Sequence, residues 1–181
     1  LLALRTITVE GAPSVSAQEV TEAIDGQLGV PLALFDYGRL TTELDGFPLI
    51  RSFVTEVVPP STLIVHIVER APVGAVATSN GFSIVDPAGV VLGSSVQRTD
   101  GVPLIDIAGE GTDSVAFAAV VDVLLALPDS IRSRVDVVRA TSKDDVHLVL
   151  IGAGQRIVWG SAERSTLKAR VLQDLMAAQG T

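Results

Sequence analysis

The chain has 181 residues, 48% of them hydrophobic and 19% charged, with a net charge of −8 and a pI near 4.6. An acidic surface without a Lys/Arg cluster repels phosphate backbones, so nucleic acid is excluded as a partner. Cysteine is absent, which removes disulfides, thiolate metal sites and thiol nucleophiles. The most apolar stretch, Val115 to Leu127, is interrupted by Asp122 and falls short of the roughly 20 residues of a membrane span, so it reads as a core helix.

In chain order, Arg5 to Glu10 alternates apolar and polar residues as a strand does, and Gly11-Ala12-Pro13 breaks it. Ser16-Ala17-Gln18-Glu19 has the pattern of a capping box, with Val15 and Val20 placed as a hydrophobic staple. It opens a helix from Ala17 to Asp25. Asp36 is the cap of a second helix, whose Leu40, Leu44 and Phe47 share a face and which ends at Pro48. Leu49 to Val58 and Thr62 to Arg70 are β-branched runs joined by Pro59-Pro60-Ser61. Both faces of the second run are apolar, so the sheet is expected to be covered by helices on one side and by something else on the other.

From Ala71-Pro72 the pattern changes to short strands and tight turns: Val73 to Thr78, Phe82 to Val85, Val90 to Leu92, then Val102 to Ile105. Asp113 or Ser114 caps a helix from Val115 to Leu127, stopped by Pro128. Three further strands follow, Val135 to Ala140, Val146 to Ile151 and Gln155 to Trp159, with turns at Ser142 to Asp145 and at Gly152-Ala153-Gly154. A final helix runs from Glu163 to Ala178, with Leu167, Val171, Leu172, Leu175 and Met176 as its apolar stripe and Arg164, Lys168, Arg170, Gln173 and Asp174 outward.

Catalytic chemistry is poorly represented. His66 and His147 lie inside apolar strands with few partners nearby in sequence and read as structural. Asp144, Asp145 and His147 resemble metal ligands, but a charged turn leading into a strand accounts for them without a metal. The Gly109/Gly111 and Gly152/Gly154 pairs are turns, because the third glycine of a dinucleotide loop is missing. No catalytic, metal or cofactor residue is assigned. The short strands instead offer open edges suited to binding by strand addition.

The first third, with Val9-Glu10-Gly11, Val15-Ser16 and Val58-Pro59-Pro60-Ser61-Thr62-Leu63, resembles a POTRA domain. Val68-Glu69-Arg70-Ala71-Pro72-Val73-Gly74-Ala75 resembles the domain junction of the FtsQ/DivIB bacterial division proteins. Val85-Asp86-Pro87-Ala88-Gly89, Val102-Pro103-Leu104-Ile105, and Gly154 to Gly160 followed by Lys168 and Leu172 fit the same family. The resemblance implies an α+β chain. A β-α-α-β-β POTRA-like domain (residues 1–70) is followed by a mostly antiparallel β-domain with two helices (residues 71–181). It implies the extracytoplasmic part of a single-pass membrane protein at the division septum, anchored by an upstream span and holding FtsB/FtsL-type partners. It also implies a partner surface on the last helix and the strand after it. Arg170, Gln173, Met176 and Ala177 are the residues expected to carry that surface, with Lys143 and Asp144 at the neighbouring turn. The sequence ends at Gly180-Thr181, so the family's terminal strand is expected to be missing and the partner site incomplete. Two other readings remain: a POTRA-type chaperone or translocation module that binds polypeptide segments by strand addition, and a metal-assisted hydrolase built on the Asp144/Asp145/His147 turn.

Overall fold

The computed structural model describes residues 3–152 and 154–178, and the chain divides into two compact units, Leu1–Arg70 and Ala71–Thr181. In the first unit the order is β1 (Thr6–Glu10), α1 (Ala17–Ile24), α2 (Tyr37–Leu44), β2 (Ile50–Val58) and β3 (Thr62–Glu69), with two 3-10 turns between the helices. The sheet order is β1-β3-β2, with β1 parallel and β2 antiparallel to β3.

Local chemistry sets both helix starts. Ser16 Oγ accepts from the Glu19 amide (3.2 Å), and Asp36 Oδ1 accepts from the Arg39 amide (3.0 Å), each satisfying an otherwise orphaned donor. Upstream of α1, the amides of Ser14 and Val15 both donate to Glu69 Oε1 (2.7 and 3.0 Å), which ties the loop to the end of β3. The core joins Val20 and Ile24 of α1, Leu40 and Leu44 of α2, and Leu63, Val65 and Ile67 of β3, with Phe47 packed at its margin. Gly11 holds a left-handed conformation (φ 79°), and a Cβ there would lie 2.5 Å from the Ile67 carbonyl oxygen, so glycine is required.

The outer face of this sheet is a correction. It was expected to be covered, yet Val54, Val58 and Val68 are exposed, and His66 sits there between Glu56 (Nε2 to Oε2, 3.0 Å) and Glu10 (Nδ1 to Oε2, 3.4 Å). The strand register explains it: Glu10 and Val54 flank His66 in neighbouring strands, partners 56 and 12 residues distant in sequence.

The second unit contains β4 (Gly74–Thr78), β5 (Gly81–Val85), β6 (Val91–Ser95), β7 (Leu104–Asp106), α3 (Val115–Ala126), α4 (Asp129–Arg132), β8 (Val135–Ala140), β9 (Val146–Leu150), β10 (Arg156–Gly160) and α5 (Ser165–Ala178). These strands form one seven-stranded sheet in the order β10-β9-β8-β7-β4-β5-β6. Only the β4/β7 and β7/β8 pairs are parallel. Ser114 is the cap of α3, its Oγ accepting from the Phe117 amide (3.1 Å). Helix α3 exposes one stripe, Val115, Ala118, Asp122 and Leu125, and its other faces join the core that includes Val138, Ala140, Val146 and Leu148 of the sheet.

The structure departs from expectation at α4 and β6. The short helix α4 follows Pro128 directly, where only a stop was expected; proline is well tolerated just before the first helical turn. β6 runs on through the polar Gly93, Ser94 and Ser95, because an edge strand needs no apolar face to pair with β5. At the β9–β10 turn, Ala153 lies outside the described residues.

A candidate partner-binding groove at the open end of the sheet

Among the described residues β10 is the last strand on its side of the sheet, paired with β9 alone. Val146, Leu148 and Leu150 of β9 point into the core under α3, which fixes the register of the strand beside them. The Gln155 carbonyl accepts from the Leu150 amide (2.9 Å). Backbone alternation in an antiparallel pair then turns the N–H and C=O of Arg156 and Val158 away from β9, towards the free edge. A bulge between Val158 and Gly160 shifts the register, and the pairing resumes with Gly160 opposite Val146.

A polar knot joins that bulge to α5. Buried Trp159 donates from Nε1 to Ser165 Oγ (3.0 Å), and Ser165 in turn donates to the Ala162 carbonyl (2.7 Å). Lys168 Nζ donates to the carbonyls of Trp159 (3.1 Å) and Ser161 (2.8 Å). The indole N–H and the carbonyls of Trp159, Ser161 and Ala162 are thereby satisfied, and α5 is held alongside β10 at a fixed spacing.

Between β10 and α5 runs an apolar groove of about 350 Å³, walled by Ile157, Val158 and Trp159 on one side and by Leu167, Val171 and Leu175 on the other. Val158 is 76% exposed, and the three helix residues are about half exposed. This corrects the expected stripe. Ser165, Ala169, Leu172 and Met176 face the core, whereas Leu167, Val171 and Leu175 do not. At about 100° per residue the five expected apolar positions span roughly half the helix circumference, wider than a single buried face needs. That breadth was the available signal for a second apolar surface.

The six residues expected at the partner surface are dispersed. Lys143 and Asp144 are exposed in the β8–β9 turn, and a Cβ on Gly160 would sit 3.8 Å from the Asp144 carbonyl, so this turn borders the end of β10. Arg170, Gln173 and Ala177 are exposed on α5, but helical geometry turns them roughly a third of the way round from the groove wall. Met176 packs partly into the core.

In the same turn Asp145 uses both carboxylate oxygens, accepting from Thr141 Oγ1 (2.6 Å) and facing His147 Nε2 (2.7 Å). The Thr141 hydroxyl first, then His147, hold its carboxyl below the ordinary value of 3.8. Among the described residues no three His, Asp or Glu side chains are placed to hold a metal ion, and no helix is long and apolar enough to cross a membrane.

Residues 2–70 match the family model of the FtsQ-type POTRA domain. The cell division protein FtsQ of Streptomyces bingchenggensis is 33% identical, over 98% of this chain and 69% of its own length. FtsQ of Mycobacterium leprae is 30% identical over 99% of this chain, and the chain spans 52% of that protein. A solved structure, the major extracytoplasmic domain of the trans isomer of cell division protein DivIB from Geobacillus stearothermophilus, aligns at 15% identity with a TM-score of 0.45, over 61% of this chain and 94% of that one; the fit is too loose to add weight. The chain thus spans about half to two thirds of the curated relatives it matches, and with that match to the Streptomyces protein it belongs to the FtsQ family of cell division proteins.

Proposed function

We propose that this chain is the extracytoplasmic part of a single-pass membrane protein that holds FtsB/FtsL-type partners at the division septum, acting by binding and not by catalysis. The observation that carries this reading is the apolar groove beside the unpaired edge of β10. An extended partner segment would pair its backbone with Arg156 and Val158 and place alternate apolar side chains against Val171 and Leu175. A following partner helix would meet the exposed flank of α5, where Arg170, Gln173 and Ala177 lie, with Lys143 and Asp144 bordering the far end; Met176 supports the helix from beneath. Family membership supports a divisome role, and the groove supplies a physical means for it.

The test is capture of partners by the full-length, membrane-anchored protein, identified by mass spectrometry, with Val171→Glu run in parallel. Recovery of FtsB/FtsL-type proteins by the parent, and their loss with the variant, is the expected result. Equal recovery by both would remove the groove from the account.

A further inference from the structure

The loop between α1 and α2 carries no charge from Gly26 to Phe35, in a chain that is 19% charged, and its length is mostly apolar: Leu28-Gly29-Val30-Pro31-Leu32-Ala33-Leu34-Phe35. It is not slack. Gln27, buried, clamps the loop's base on both sides of Asp36, donating from Nε2 to the Asp36 carbonyl (2.9 Å) and accepting at Oε1 from the Asp36 amide (2.7 Å). A 3-10 turn with Leu34 N to Pro31 O at 2.8 Å stiffens the tip. Phe35 is buried and Leu32 packs against the core, yet Leu34 is 72% exposed, and Leu28 and Tyr37 are nearly half exposed. Holding a leucine outward on a braced turn leaves apolar surface in water that a polar residue at the same position would not.

A second observation places this loop. The chain's first four residues, Leu1-Leu2-Ala3-Leu4, are also uncharged, and of these Ala3 and Leu4 lie against the loop. The Leu4 amide donates to the Val30 carbonyl (2.9 Å), the Gly29 amide donates to the Leu4 carbonyl (2.7 Å), and Ala3 bridges to Pro31. The described chain therefore enters this unit at Pro31 and Val30, within the same loop that carries Leu28 and Leu34.

We infer that the loop from Leu28 to Leu34 is a lipid contact that rests on the interfacial zone of the bilayer. This rests on the proposed reading that a membrane anchor precedes the chain. Leucine and tyrosine side chains favour that zone, where the apolar body enters the acyl boundary and the phenol stays at headgroup level. The flanking Asp25 and Asp36 and the chain's net charge of −8 select a zwitterionic surface over an anionic one. A second copy of the chain is a poorer fit, because three side chains fall far short of the roughly 800 Å² per partner of a standard interface. The contact would fix how the first unit meets the membrane, in place of a freely swinging tether.

These 181 residues hold no cysteine, so once any cysteine outside them is replaced by serine a single nitroxide label is clean. Full-length protein carrying Leu34→Cys or Leu28→Cys, labelled, is placed in zwitterionic nanodiscs and compared with a label at exposed Val54→Cys on the sheet of the same unit. Collision with a water-soluble nickel chelate and with lipid-phase oxygen is measured at each site. The expected result is several-fold lower nickel accessibility at positions 34 and 28 than at 54, higher oxygen accessibility there, and weakening of both effects in anionic nanodiscs. Equal nickel accessibility at all three sites, in protein that co-migrates with the discs, overturns the lipid contact and leaves the anchor standing. Protein that does not co-migrate with lipid overturns the anchor and the contact together. Protection of position 34 in the lipid-free chain points to self-association and overturns the contact.

Discussion

Ser165→Ala should loosen the joint that sets the groove. Ser165 Oγ accepts from the Trp159 indole and donates to the Ala162 carbonyl, and both Ser165 and Trp159 are buried. Alanine removes two hydrogen bonds and leaves the indole N–H in a dry site without its acceptor. A stranded buried donor costs about 1–3 kcal/mol. For a unit of this size each kcal/mol is worth roughly 4 °C, so a fall in Tm of about 4–12 °C is expected. Trp159 is the only tryptophan, so its emission reports this region during urea unfolding without interference. Thr166→Ala, at the exposed neighbouring position, serves as the control and should stay within about 0.5 kcal/mol of the parent. If Ser165→Ala unfolds at the same urea concentration as the parent, the knot is not what holds α5 against β10.

In the first unit, Leu44→Ala removes a side chain that is 1% exposed and should cost about 2–5 kcal/mol, read as an earlier far-UV CD transition; an unchanged midpoint would put Leu44 outside the core. Asp145 gives a pH signature. Its carboxyl is held below its ordinary value, so the unfolded chain binds the proton more readily, and the stabilisation is present above that value and lost as pH falls through the folded one. Urea midpoints of the parent and Asp145→Asn should therefore differ at neutral pH and converge in acid, and a difference that persists unchanged into acid would contradict the assignment.

Much of the fold was legible because local signals and burial agreed. Ser16 and Asp36 announced two helices through side-chain oxygens that do cap them, and of the two caps offered for the third, Asp113 and Ser114, Ser114 is the one used. Valine-rich runs announced β2, β3, β8 and β9; β3 and β9 bury alternate residues, whereas β2 buries Ile50 alone and was marked by its β-branched composition. The groove was half legible. Helical periodicity marks Leu167, Val171 and Leu175 as apolar, but periodicity does not say whether an apolar face is covered, and that depends on how close β10 lies. His66 shows the same limit. Alone in its strand it looks isolated, and its two glutamates arrive only through the β1/β3 and β2/β3 registers. Helix α4 was missed because four residues are too few for periodicity to show.

The groove as partner surface is tested most directly by calorimetric titration of this chain with the extracytoplasmic segment of an FtsB-type partner. The parent should bind only weakly, its partner site being expected to be incomplete. Val171→Glu and Leu175→Glu should abolish binding while leaving the Tm within a few degrees, since both positions are about half exposed. Charge reversal at Arg170 or Lys143 should weaken binding less, because neither lines the groove. Undiminished binding by both glutamate variants, with loss on reversing Arg170 or Lys143 alone, would contradict the account and move the partner to the outer flank of α5.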